Sequence, residues 1–504
     1  MCSAILPLSL CLAASTVIGC GAADEVALHE TNSHPNIVFV MADDLGRGDL
    51  GCYSTGSLVP TPHIDSIAVQ GMRFTDAHSP SAVCTPTRYG VLTGRYAWRT
   101  PLRRGVLWGD SRSLLERGRT TVASLLKRAG YRTACVGKWH LGLGEEEPVD
   151  FSKPITLGPL DFGFDEFFGI PASLDQGPYV YLRGDRASAA LDLWMDETVP
   201  RRSGGSGFIR ADRHSADFVH SETLDLVTAE GIAFLERCAT TPETPFFLYL
   251  PLTAPHTPWL PREEFEGASG AGPYGDFAVH VDACVGRVDA ALERLGMTGE
   301  TLLIVTSDNG AHWMPEDIAL WKHRANGNSR GQKADIWEGG HRVPFVVRWP
   351  GRIEALSLCD TTVALSDLMA TCAAITGVEL AEDEGEDSFD LTPLFLGGDS
   401  TRPAREALVH HSFDGTFAIR KGAWKLIFGL GSGGFSEPVR ELPIEGGPTG
   451  QLYDLENDPG ETRNVILEHP ERVRELALLM QAYSETGRSR PLAEDRNVQS
   501  SEGN

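Results

Sequence analysis

The chain has no CxxC pair and no finger-type cysteine spacing, which removes cysteine-based metal modules from consideration. After its first twenty residues it has no apolar run long enough to cross a membrane. It has no internal repeat, and it is short of positive charge. Against 69 Asp and Glu stand 44 Lys and Arg, a formal net charge of −25 that argues against nucleic acid as a partner. The same acidity serves solubility and sets a condition on any anionic substrate. The overall field repels it, so a locally positive pocket has to hold it.

What is present reads as an exported globular protein. At 504 residues, 41% hydrophobic and 22% charged, the composition is ordinary and the length fits two or three domains. Residues 1–20 carry a short, small-residue-rich apolar run that reads as a signal peptide, although no Lys or Arg stands near Met1. Val17-Ile18-Gly19-Cys20 resembles a bacterial lipobox, which would place a lipid anchor on Cys20; plain secretion is the equal alternative. Export leaves three addresses: periplasmic, membrane-anchored or extracellular. Three of the ten cysteines (Cys2, Cys11, Cys20) fall in this leader. The other seven, Cys372 among them, read mostly as small buried hydrophobes, and their odd number leaves one to be explained separately.

Short apolar runs at 36–41, 133–136, 246–250, 302–306 and 343–347 predict buried strands. Helical patterns alternate with them, as in residues 121–130 with a glycine at the end. This rhythm predicts an α/β domain with a large, mostly parallel sheet flanked by helices, over 33–398. From 399 to 486 four short strand candidates and a helix at 470–483 predict a smaller antiparallel sheet. Segments 184–215 and 428–450 read as loops, the acidic stretch 382–387 as solvated, and 487–504 as a disordered tail.

Two predicted strands end in oxygen ligands. One ends in Asp43-Asp44, the other in Asp308-Asn309-Gly310. Ligands bind beyond the carboxyl ends of strands in open α/β sheets, and three carboxylates converging there need a cation. An all-oxygen set with an amide suits calcium or magnesium rather than zinc. Each Asp pair taken singly could instead cap a turn.

The segment Cys84-Thr85-Pro86-Thr87-Arg88 has the pattern C-x-P-x-R, which ~3% of comparable chains would show by chance. Thr85-Pro86 also suits a helix start, placing Cys84 at the positive end of a helix dipole. CTPTR followed by Leu92-Thr93-Gly94-Arg95 resembles the signature of the type I, formylglycine-dependent sulfatases. The MADDLG, GKWHLG, PHTP, TSDNG and GQKADIWEGGHRVPFVVRWPG segments are similar to the same family in the same order, over roughly residues 33–470.

The resemblance implies an alkaline-phosphatase-like fold and the hydrolysis of sulfate monoesters of sugars or aryl alcohols. It implies that a modifying enzyme converts Cys84 to formylglycine, whose hydrate takes up the sulfate covalently with calcium bound. Asp43, Asp44, Asp308, Asn309 and residue 84 would hold the metal. Arg88 would orient the hydrate, Lys138 would bracket nucleophile and sulfate, and Asp308 would assist as base. His256 or Lys333 would protonate the leaving oxygen, and His140 would expel sulfate. Phe168-Gly169-Ile170-Pro171-Ala172-Ser173 resembles an arylsulfatase A segment in which the serine contacts sulfate, making Ser173 a candidate. Together the cations supply the positive pocket. Lys322-His323-Arg324 has two readings, a reach toward the leaving group or a solvated loop. Arg420, Lys421 and Lys425 resemble a segment that closes over the pocket in this family. The rivals are a phosphate or phosphonate ester hydrolase of the same superfamily and a catalytically silent glycan-binding relative.

Overall fold

The run after Pro35 is a strand whose alternate side chains enter two separate cores in the computed structural model, which describes residues 34–198, 208–398 and 404–492. Ile37, Phe39 and Met41 are buried on one face, and Val38, Val40 and Ala42 on the other. A strand covered on both faces has no polar side, which is why it reads as an unbroken apolar run.

The central sheet is built, in chain order, from β1 (Asn36–Asp43), β2 (Met72–Phe74), β3 (Arg132–Lys138), β4 (Glu166–Ile170), β5 (Leu182–Arg183) and β6 (Arg186–Ala187). It continues with β7 (Phe246–Pro255), β8 (Thr301–Ser307), β9 (Phe345–Arg348) and β10 (Ser357–Cys359). Their order across the sheet is β10-β2-β9-β8-β1-β7-β3-β4-β5-β6. The five strands from β8 to β4 are mutually parallel. Their carboxyl ends therefore open along one edge, where a ligand site is expected.

Helices cover both faces. The short helices α1 (Cys84–Thr93) and α2 (Val122–Arg128) pack on the Phe39 face. Thr121 caps the second of these, accepting from the Ser124 N–H at 3.2 Å. On the Val38 face lie α3 (Thr223–Cys238) and α4 (Gly272–Arg294). The α4 stripe Tyr274, Phe277, Ala278, Val281, Val285, Val288 and Leu292 repeats at helical spacing and is buried throughout. Helix α5 (Leu368–Thr376) returns to the Phe39 face and buries Cys372 completely.

The last part of the chain forms an antiparallel four-stranded sheet, β11 (Leu408–His411), β12 (Phe417–Lys421), β13 (Trp424–Ile427) and β14 (Gln451–Asp454), in that order. Helix α6 (Pro470–Glu485) packs on it, and Tyr96 and Trp98 from the larger part share its core. The seven cysteines outside the leader are all free, and all but Cys52 are buried.

Three expectations need correction. Residues 184–215 are not simply loop: β6 extends the main sheet, and Leu193–Met195 pairs antiparallel with Asp212–His214. The 382–387 acids are solvated only at Glu382 and Asp383, which are exposed. Glu384, Glu386 and Asp387 are buried because Arg128, Arg119 and Arg99 reach them, Arg99 gripping Asp387 with two bonds of 2.8 Å. Past α6 the chain remains tied down, with the Ser489 N–H donating to Asp387 at 3.0 Å. The leader with Cys20, and residues 493–504, lie outside the described residues. Among the described residues no helix is long and apolar enough to cross a membrane.

Candidate active site

Asp43 closes β1 and Asp44 follows with φ +68, a left-handed backbone that a non-glycine residue seldom adopts. Side chains alternate along a strand. The turn at Asp44 breaks that alternation and lets both carboxylates serve one crevice. On the neighbouring strand, Asp308 and Asn309 follow β8, and the Asp44 N–H donates to Asp308 Oδ1 at 3.2 Å. His140, just past β3, is a second non-glycine residue at positive φ, +56. Strain of this kind persists where the surroundings impose it, commonly at functional sites.

Cys84 is the first residue of α1 and is buried, its Sγ 3.6 Å from Asp43 Oδ1. One helical turn later Arg88 donates to Asp308 Oδ2 through Nε at 3.1 Å and Nη2 at 2.6 Å, and to the Lys138 carbonyl at 2.9 Å. Lys138 Nζ donates to Asp43 at 2.6 Å and Lys333 Nζ to Asp44 at 2.8 Å. Three buried carboxylates thus face three buried cations, so the described charges balance without any ion. A divalent cation added to this set would leave a surplus of positive charge facing the crevice, which an anionic substrate needs in a protein of net charge −25.

Burial alone would raise the Asp43 carboxyl, but Lys138, His256, Arg88 and Lys333 hold it well below the ordinary carboxylate range. Asp308 goes the other way, pushed up to about 6 by burial and the Asp43 charge despite Arg88 and Lys138. Lys333 loses by burial and gains more from Asp44, Cys84 and Asp43 together, so it stays firmly cationic. His140 is held neutral by burial and by the charges of Lys138 and Arg88. The Cys84 thiol is pushed up by burial, which outweighs the pull of Lys138 and Lys333.

His256 is turned by its Nδ1 bond of 2.7 Å to the Thr257 carbonyl, leaving Nε2 3.8 Å from Asp44 Oδ2. Buried oxygens without a partner mark the rest of the site: Asn309 Oδ1, Ser173 Oγ and Asp175 Oδ1, with the nitrogen His140 Nδ1. Buried polar atoms are nearly always paired, so a group of orphans marks where something else binds. The orphaned Asn309 oxygen beside the carboxylates of Asp43, Asp44 and Asp308 is an all-oxygen donor set that fits calcium or magnesium. Asp43, Asp44, Cys84 and His256 each place a ligand-type atom within 4.8 Å of the others.

The structure therefore brings together Asp43, Asp44, Cys84, Arg88, Lys138, His256, Asp308, Asn309 and Lys333, while His140 and Ser173 stand on the adjoining segments after β3 and β4. Two features were not anticipated. Asp175 Oδ1 lies 3.8 Å from His256 Nδ1, and the Leu107 carbonyl fixes His140. Asp175 sits two residues after Ser173 and was within reach of the same motif; a backbone carbonyl leaves no mark in a sequence. The cations of β12 and β13 do not close over the site. Arg420 pairs with Asp76 at 2.9 Å, and Lys425 is buried between Glu338 and Glu461 at the seam with the small sheet. Lys421 pairs at the surface with Glu406 and Glu475.

An α/β sheet with a parallel centre, and with a buried cysteine, carboxylates and cations gathered at one edge, is the arrangement of a hydrolase of anionic esters. The sulfatase family model matches residues 35–378, and the chain belongs to the sulfatase family. It is an enzyme that hydrolyses sulfate esters. An N-acetylgalactosamine-6-O-sulfatase of Bacteroides thetaiotaomicron is 35% identical, covering 95% of this chain and 98% of that protein. Human arylsulfatase A is also 35% identical, over 86% of this chain and 83% of its own. A solved structure from work on glycosaminoglycan metabolism by Bacteroides thetaiotaomicron superposes with a TM-score of 0.79 at 35% identity, covering 89% of this chain and 99% of that one.

Proposed function

We propose that the protein is an exported, calcium-dependent sulfatase acting on sulfated sugars through a formylglycine made from Cys84, with N-acetylgalactosamine 6-sulfate the first ester to try. The observation that carries this reading is Cys84 itself, buried at the start of α1 within 3.6 Å of Asp43 and facing Arg88, Lys138 and Lys333. The sugar is taken from the B. thetaiotaomicron relative, which aligns with this chain almost end to end.

Asp43, Asp44, Asp308 and the Asn309 amide oxygen would hold the cation, with residue 84 beside them; its positive charge offsets that of the sulfate oxygens. When modified, residue 84 supplies a hydrated aldehyde that takes over the sulfate and then lets it go. Arg88 anchors this side of the crevice through Asp308 and orients residue 84. Lys138 and Lys333 put fixed positive charge where negative charge develops, a placement worth most in a buried site. Ser173 offers its free hydroxyl to a sulfate oxygen. Asp308, with its raised affinity for protons, helps take up the proton of the attacking hydroxyl. His256 carries a proton to the leaving oxygen from Nε2, while Lys333, firmly cationic, is a charge rather than an acid. Neutral His140 takes the proton of the second hydroxyl. A formylglycine-generating enzyme, and passage through a leader ending at Cys20, complete the expected maturation.

The test is turnover of N-acetylgalactosamine 6-sulfate, 4-nitrophenyl sulfate and a 4-nitrophenyl phosphate diester by protein made with the modifying enzyme. Sulfate release from the first two, with the phosphate ester slow, supports the reading. Preference for the phosphate ester would overturn it.

A further inference from the structure

Away from the catalytic crevice, a cavity of about 500 Å³ is lined by Arg47, Lys322, Arg324 and Arg342 and by no acidic residue. In a chain where acids outnumber bases 69 to 44, such a wall is the reverse of what composition supplies. Its place is known from Tyr53, another lining residue, whose hydroxyl donates to the Phe74 carbonyl at 2.8 Å and accepts from the Phe345 N–H at 2.9 Å. Those atoms lie at the end of β2 and the start of β9. The cavity therefore opens on the same edge of the sheet as the catalytic residues, on the far side of β8 from β1.

Of the two readings of segment 322–324, the solvated one holds for Lys322 and Arg324, which are exposed, and not for His323. His323 is buried and bonded to Asp49 at 2.7 Å, and this anchor turns Lys322 and Arg324 outward to the cavity. Among the described residues, neither Arg47 nor Arg324 has an ion-pair partner. Arg47 rests its guanidinium over the Tyr53 ring at 5.2 Å, with Nε buried and unbonded. Arg342 spends part of its charge on Asp76 at 3.3 Å, yet its Nε is also buried without a partner. Burial and the Arg342 charge pull Arg47 down to about 10, so it remains charged at neutral pH and is poorly compensated. Cations held this close together with only the shared carboxylates of Asp76 and Glu338 to offset them gain from a bound oxyanion, and the arginine fork suits one.

We infer that this cavity is a second oxyanion site, which binds a sulfate group separate from the one being hydrolysed. The group is either a further sulfate on an extended substrate or free inorganic sulfate. Its position rests on the sulfatase reading only for the first of these sources. Calorimetric titration of inorganic sulfate into the intact protein should show two sites, and the pair Arg47→Gln and Arg324→Gln should leave one, the second weakened about ten-fold or more. Asn328→Asp, which puts a carboxylate into the cavity wall without removing a cation, should act the same way and guards against a misfolded double variant. Turnover of a monosulfated monosaccharide should be unchanged in these variants and reports the catalytic reading independently. A rise in KM for a multiply sulfated oligosaccharide, with kcat kept, identifies the substrate's own second sulfate. No rise, with the titration site lost, identifies free sulfate. Sulfate binding that both variants leave unchanged from the wild type would overturn the inference.

Discussion

His140 donates its Nε2 proton to the Leu107 carbonyl at 2.9 Å, and this bond decides which ring nitrogen can act as a base. A carbonyl only accepts, so Nε2 carries the hydrogen and Nδ1 carries the lone pair. Nδ1 is buried and without a partner, and burial with the charges of Lys138 and Arg88 keeps the ring neutral. His140→Ala should therefore lower kcat by about 10²–10⁴ with little change in KM. Added imidazole should restore part of the turnover, which repair of a merely structural defect would not explain. An unchanged kcat would remove His140 from the chemistry.

The parallel centre of the sheet was legible because strands buried on both faces leave unbroken apolar runs, as in 36–43. The carboxylates were legible because they follow those runs directly. Contacts made by backbone atoms, such as the Leu107 carbonyl, were not. The acids at 384, 386 and 387 looked solvated because their partners, Arg128, Arg119 and Arg99, lie more than 250 residues away. Local composition cannot show a charge paired over that separation. The same holds for Arg420 and Lys425, whose partners Asp76 and Glu338 come from the larger part of the molecule.

The donor set of Asp43, Asp44, Asp308 and Asn309 predicts a calcium-dependent melting temperature. Calcium at a hundred times its dissociation constant should add about 2.7 kcal/mol to the folded state of chelated protein. Asp308→Ala should abolish both that shift and turnover. It should also cost stability, about 3–5 kcal/mol, because the buried Arg88 loses the carboxylate oxygen that accepts two of its bonds. Melting curves with chelator and with calcium check this. Identical curves for the wild type would reject the metal assignment.

At the seam with the small sheet, His78, His341 and His410 are buried together, the last two stacked with centroids 3.8 Å apart. Burial depresses all three, and His410 is lowered further by His78 and Lys425. The unfolded chain therefore binds more protons than the folded one below the ordinary histidine value of about 6.5. Stability from these groups is complete above that pH and is lost as pH falls through it. His410→Gln should reduce the slope of unfolding free energy against pH by about 1.4 kcal/mol per unit below 6.5. Urea midpoints measured from pH 7 to pH 5 give that slope directly. Parallel lines for variant and wild type would show that His410 is not held neutral.

On the proposed mechanism turnover depends on Cys84, and its surroundings bear on the form in which it would act. Burial pushes the thiol up, with Asp308 and Asp43 adding to it and Lys138 and Lys333 only partly opposing. An unmodified side chain is therefore a neutral thiol at physiological pH, and a thiol is a far weaker nucleophile than a thiolate. Protein made without a modifying enzyme should fold, bind the cation and be nearly inactive. Specific activity should rise in proportion to the fraction of residue 84 found as aldehyde by peptide mass spectrometry. The proposed modification should precede folding, because the side chain is 2% exposed and stands in the first turn of a helix. Folded, unmodified protein mixed with the modifying enzyme should accordingly stay inactive, while co-production should yield active material. Alkylating reagents should leave Cys84 unlabelled in the native state and label it after unfolding. Cys84→Ala should keep the calcium-dependent melting shift and lose turnover altogether. Multiple-turnover activity from Cys84→Ala would refute a nucleophile at this position and leave a water-based attack as the remaining route.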